Sequence, residues 1–157
     1  MDLSFIPEPV PVPAHRLWLG RILIGAVVFA NLQCALAFII NPSAYVQAYE
    51  LTGIPGLNAI QGFGILFIMW NVPYMVALFN PHKHRLSLLE AISMQAIGLC
   101  GESYLFFKLP SDYAQLASSI LRFILFDGIG LVALLIALLV TRAISSPTRG
   151  TNQDRIS

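Results

Sequence analysis

Apolar residues run along this chain in four long blocks, at residues 17–40, 57–79, 87–107 and about 113–140. Each block reaches the ~20 residues that a helix needs to cross the hydrocarbon core of a bilayer. Backbone groups in lipid must pair internally, so helices are expected. The pattern predicts an all-α fold: an integral membrane four-helix bundle with a short interfacial helix between spans one and two. The fourth block is the longest and is expected to tilt or to project beyond the bilayer. The transmembrane domain is expected over residues 15–144. A proline-rich arm (1–14) precedes it and a flexible tail (145–157) follows.

The segments between the blocks carry the next layer of information. In "NPSAYVQAYELTGIPG", Asn41 suits a helix N-cap and Pro42 the first helical position. Gly53 is placed to end that helix, and Pro55 to prevent its resumption. Tyr45 and Tyr49 fall four apart, on one face, where headgroups would meet them. Basic residues are distributed unevenly. His15, Arg16 and Arg21 open the first block, "NPHKHR" joins the second to the third, and Arg142, Arg149 and Arg155 follow the fourth. The loop at 41–56 has no Lys or Arg, and the loop near Pro110 has only Lys108. The positive-inside rule then puts both termini in the cytoplasm, with the plasma membrane as the expected location.

A first span, a short helix, the "LTGIP" turn and the glycine-bearing second span "QGFGILFIMWNVPY" resemble the DoxX-like family of small four-helix membrane proteins. The resemblance covers roughly the first half of the chain. It implies the four-helix fold and an association with quinone-linked or redox complexes. Family members often carry an acidic residue after the glycine of span two. This chain has Gln61, Gly62 and Gly64 there and no carboxylate.

Composition supports lipid as the solvent. The 157 residues are 57% hydrophobic and 11% charged, against about 25% charged in soluble domains. A net charge of +1 leaves no basic surface for nucleic acid. The N-terminal "MDLSFIPEPVPVPAHR" has Asp2 and Glu8 where a signal peptide would be positive. Its four prolines favour an extended arm, as a tether or as a contact for a partner subunit. Cys34 and Cys100 have no metal or redox spacing and read as small hydrophobes. The His82 and His84 pair reads as solvated, and Trp18 and Trp70 as anchors or packing residues. No metal site is expected.

Polar residues inside the blocks are the candidate chemistry. "SLLE" spells a capping box, with Ser87 at the N-cap and Glu90 reaching back. Ala91, Gln95, Gly98 and Glu102 share one stripe of the third helix, a surface for packing on another helix. Glu102 lies roughly 8 Å in from the outer end. Arg122 and Asp127 interrupt the fourth block roughly 15 and 22 Å in, about 140° apart around the helix. Each therefore looks to a neighbouring helix. Intramembrane charges face the interior or pair, so Glu102 is expected to join Arg122. Asp127, Gln95 and Asn71 would extend that network inward, and Asn31 and Gln33 lie at similar depths in span one.

No nucleophile elbow, phosphate-binding loop, zinc-protease or haem-attachment motif occurs. The leading expectation is a non-catalytic accessory subunit of a larger membrane complex, with protein partners in the bilayer. The alternative is a binder or transporter of a lipophilic small molecule or proton, using the Glu/Arg/Asp network.

Overall fold

A computed structural model describes residues 12–142. Most of the arm and the tail, with Arg149 and Arg155, lie outside the described residues. The chain forms α1 (Ala14–Ile40), α2 (Ser43–Val46), a 3₁₀ turn (Gln47–Tyr49), α3 (Gly53–Phe79), α4 (Arg85–Lys108) and α5 (Ala114–Val140). Among the described residues the fold is all-α.

The four-span expectation is corrected. There are five α-helices, and three of them, α1, α3 and α5, are long and apolar enough to cross a membrane. α4 is not among them. Its 24 residues include Arg85, Glu90, Glu102, Lys108, Gln95 and three serines, which lower its apolar content. A bare count of apolar runs overlooked how many polar positions the third block holds. Packing sets the place of α4, which lies against α5 and α3.

Three local expectations also fail, the first being Asn41 as an N-cap, since α2 has Pro42 at that position and no side-chain cap. α4 begins at Arg85 with His84 at its N-cap and no side-chain cap. Ser87 and Glu90 are thus already inside the helix and form no capping box. Gly53 does not end the helix before it. Glu50 makes the left-handed turn, at φ 53°, and Gly53, at φ 65°, opens α3. Pro55 sits in the first turn of α3, where its missing N–H leaves no bond unmade. Pro73 leaves α3 continuous.

Both ends of the described chain lie at one end of the bundle. Gly20 of α1 meets Thr141 beyond α5 and Pro81 of the α3–α4 turn. Arg21 donates to the carbonyls of Leu78 and Phe79, which close α3. His82 bonds the Thr141 carbonyl at 3.1 Å. The core of this half is aliphatic, built on Ile24, Val27 and Val28 of α1 against Leu134, Ala137 and Leu138 of α5. The opposite end holds the α2 segment. Its core is aromatic and centred on Phe38, which is 2% exposed.

The outside is apolar. Phe29, Ile54, Ile97 and Ile129 are each about 70% exposed or more, as are Ile40, Phe79, Leu86 and Phe107. A continuous apolar belt of this extent belongs against hydrocarbon. This is a helical membrane protein in contact with lipid.

Candidate functional site: a cationic aromatic pocket and a polar layer

α1 and α5 touch at the end that holds Gly20 and Thr141 and part toward the other end. The gap between them is a pocket of about 360 Å³, within the size range of small-molecule sites. α1 contributes Asn31, Gln33, Cys34 and Ala37. Phe67 comes from α3, and Phe123 and Phe126 from α5. Tyr45 and Tyr49 close the top. These tyrosines do share a face, but they turn inward, not toward headgroups. Their ring centroids lie 4.8 and 6.0 Å from that of Phe38. Aromatic packing outweighs hydration here because Phe38 offers a ready edge and face.

Burial in this cluster raises the Tyr49 phenol above its usual range. The Cys34 thiol and the Glu102 carboxyl add to the rise, and the Arg122 guanidinium opposes it. Cys34 and Arg122 line the pocket together with Tyr49.

The roof is strapped to α5. Ser119 Oγ donates to the Ala48 carbonyl at 2.7 Å. The Leu116 amide, one of the unpaired donors in the first turn of α5, donates to Glu50 Oε1 at 3.2 Å. Ser119 also accepts from Arg122 Nη2 at 3.1 Å. One hydroxyl thus holds both the roof and the guanidinium.

Arg122 and Glu102 do not join. Among the described residues Arg122 makes its one hydrogen bond to Ser119, and Glu102 Oε2 is buried without a partner. The sequence expectation matched them by depth. The arginine instead leans along its own helix toward the α2 end, because Ser119 lies one turn back on the same face.

The other expected residues form a separate layer one step further in. Tyr74 of α3 donates to Gln95 Oε1 at 2.7 Å, and Gln95 Nε2 donates to Asp127 Oδ1 at 2.8 Å. α4 and α5 come this close because glycines line the seam. A Cβ at Gly130 would lie 2.6 Å from Gln95 Nε2, and one at Gly98 would strike Asp127 Oδ2. Glu102 stands one turn along α4 from Gly98, beside this carboxylate. Asn71 donates to the Phe67 carbonyl at 2.7 Å and meets Asn31 at 3.5 Å. A small cavity of about 40 Å³ touches Asn31, Asn71, Tyr74, Gln95 and Asp127. That is room for about one water with several polar neighbours. Asn31 and Phe67 are shared walls of this cavity and the larger pocket.

Of the seven expected residues, Asn31, Gln33 and Arg122 line the pocket, while Asn71, Gln95 and Asp127 form the layer with Asn31. Glu102 stands alone. The sequence reading missed Ser119, Tyr74, Glu50 and the aromatic walls. Ser119 was within reach, since "SILR" spaces it three residues before Arg122 on a helix. Tyr74 carried no such local signal. Cys34 is half-buried in the pocket wall and Cys100 is exposed. Among the described residues no group of His, Cys, Asp and Glu is arranged to hold a metal.

Compared with protein-family models, curated proteins and solved structures, the chain matches none.

Proposed function

We propose that this membrane protein binds a lipophilic small molecule in the pocket between α1 and α5. One observation carries the reading. Between α1 and α5 lies a void of about 360 Å³, walled by aromatic rings and edged by one fixed guanidinium. Ligand sites have this make-up, largely apolar with a few placed polar groups. The neighbouring Asn31–Asn71–Tyr74–Gln95–Asp127 layer supports it by fixing the rear wall. A quinone, the lipophile that the DoxX-like resemblance implies, is one candidate class. The test is purification of the full-length protein from its native membrane in mild detergent, then mass spectrometry of an organic extract. A stoichiometric lipophile is expected, absent from an Ala37→Phe variant that fills the pocket. Bulk lipid alone, identical in both samples, would refute the reading.

The basic residues favour a cytoplasmic position for the end where the described residues begin and end. Arg21, Lys83, Arg85 and Arg142 cluster there, which is the positive-inside pattern of a plasma-membrane protein.

The accessory-subunit reading draws on one feature. α4 exposes Glu90, Ser93 and Gly101 among lipid-facing residues, and polar and small positions of this kind favour helix partners over lipid. Co-purification of a second membrane chain, lost in Glu90→Leu, would support it. A Glu90→Leu protein with an unchanged set of co-purifying chains would sink it.

A further inference from the structure

The charge inside the pocket narrows the ligand. Arg122 is the one charged residue among those lining it, and a guanidinium stays protonated in any protein setting. Only one of its five N–H donors is engaged among the described residues, by Ser119 Oγ at 3.1 Å. That serine is itself committed, donating to Ala48, so it orients the guanidinium without neutralising it. Glu102, the acidic residue expected to join Arg122, makes no bond to it. Asp127 holds Gln95, and Glu102 stands beside Asp127 on α4, outside the pocket lining. The rest of the lining is aromatic or small, with the Asn31 and Gln33 amides and the Cys34 thiol. A cation at membrane depth beside rings and hydrocarbon calls for an anion. A planar fork of donors suits a planar acceptor best. A single positive charge matches a monoanion, whereas a phosphate monoester would bring nearly two negative charges.

Resting on the pocket reading above, we propose that the ligand is a single-chain lipophilic carboxylate. Its headgroup sits on Arg122, and its chain lies along Phe38, Phe67, Phe123 and Phe126. Gln33 and Arg122 are exposed, so the carboxylate lies at the rim and the chain runs inward between α1 and α5. Tyr45 and Tyr49 cover the headgroup.

The experiment titrates the full-length protein in detergent with a fluorescent polyene fatty acid and with its methyl ester. The two probes share a chain and differ in charge. The acid is expected to bind roughly 10- to 100-fold more tightly, the range for a hydrogen bond to a charged group. Arg122→Gln should bring the acid to the level of the ester and leave the ester unchanged. Arg122→Lys should keep part of the preference. Ala37→Phe should abolish binding of both probes. Equal binding of acid and ester by the native protein, each blocked by Ala37→Phe, would overturn the carboxylate assignment and leave the pocket reading intact. That pattern would favour a neutral lipophile such as a quinone. Failure of both probes to bind, or binding indifferent to Ala37→Phe, would overturn both. The comparison of acid with ester needs no variant, so poor folding of an Arg122 substitution cannot blunt it.

Discussion

Helix α1 has two seams, and they differ. Against α3 it is closed at the α2 end, where a Cβ on Gly64 would lie 2.7 Å from the Ala35 carbonyl and from Ile39. Gln61 adds a bond to the Ile39 carbonyl at 3.2 Å. Against α5 it is closed only in the half where Gly20 meets Thr141 and Ile24 lies in one core with Leu134 and Ala137. Toward the α2 end this second seam opens into the pocket. Small residues let helices touch, and large rings hold them apart. α5 has Gly130 and Ala137 on its inward side in the closed half, and Phe123 and Phe126 in the open half. Without a hydrophobic drive between helices in lipid, such steric differences decide where bundles close. A void between helices survives when the residues around it brace each other. Here the strap from Ser119 and Glu50 to the α2 segment supplies that bracing.

Breaking the closed seam should have the largest effect. Gly64→Leu drives a side chain into the α1 backbone, which cannot yield as a rotamer can. A loss of about 3 kcal/mol or more is expected, seen as collapse of the monodisperse peak in size-exclusion chromatography. A normally folded Gly64→Leu protein would mean that α1 and α3 are not in close contact. Next come two truncations on α5, one in each half. Leu134→Ala in the closed half should cost about 2 to 5 kcal/mol, read as a lowered thermal midpoint in detergent. Phe126→Ala, which already borders a void, should cost less than half as much. Equal losses would show that the pocket is packed shut in solution.

The polar layer behind the pocket ranks third. Gln95→Leu strands the Tyr74 hydroxyl and the Asp127 carboxylate together. A loss of about 1 to 3 kcal/mol is expected, and Tyr74→Phe in the same background should recover part of it. Additive losses in that double-mutant cycle would show that Tyr74 and Gln95 are not bonded. The smallest effect belongs to Arg122. It is exposed and makes one hydrogen bond, so Arg122→Gln should change stability by no more than about 0.5 kcal/mol. A marked loss would mean that the arginine holds the bundle together through a partner such as Glu102, as its depth in the sequence first suggested.

The legible and illegible parts of the site divide on particular residues. Gln95 and Gly98 were readable as a packing stripe because helical periodicity alone sets which residues share a face. The level of Asp127 near Gln95 followed from counting rise per residue. Arg122 was matched to Glu102 by the same counting, and there it failed. Depth fixes one coordinate, while contact also requires the rotation of each helix. The arginine found a closer partner in Ser119, one turn back along α5. Tyr45 and Tyr49 show a related limit. Their shared face was evident, but whether it turned outward depended on Phe38, a ring on another helix.

The sequence by itself determined the solvent, the helical class, the helix ends to within a few residues, and the list of polar groups that lipid would have to accommodate. These follow from composition, from runs of apolar residues and from the demand that backbone groups pair within each helix. It overstated the spans, because a run of apolar residues does not weigh the glutamates, glutamine and serines inside α4. The tertiary structure alone decided which polar groups meet and where the empty space lies. Both depend on helix rotation and separation. Those are set across distant segments by Gly20, Gly64, Gly98 and Gly130 where helices touch, and by Phe123 and Phe126 where they do not.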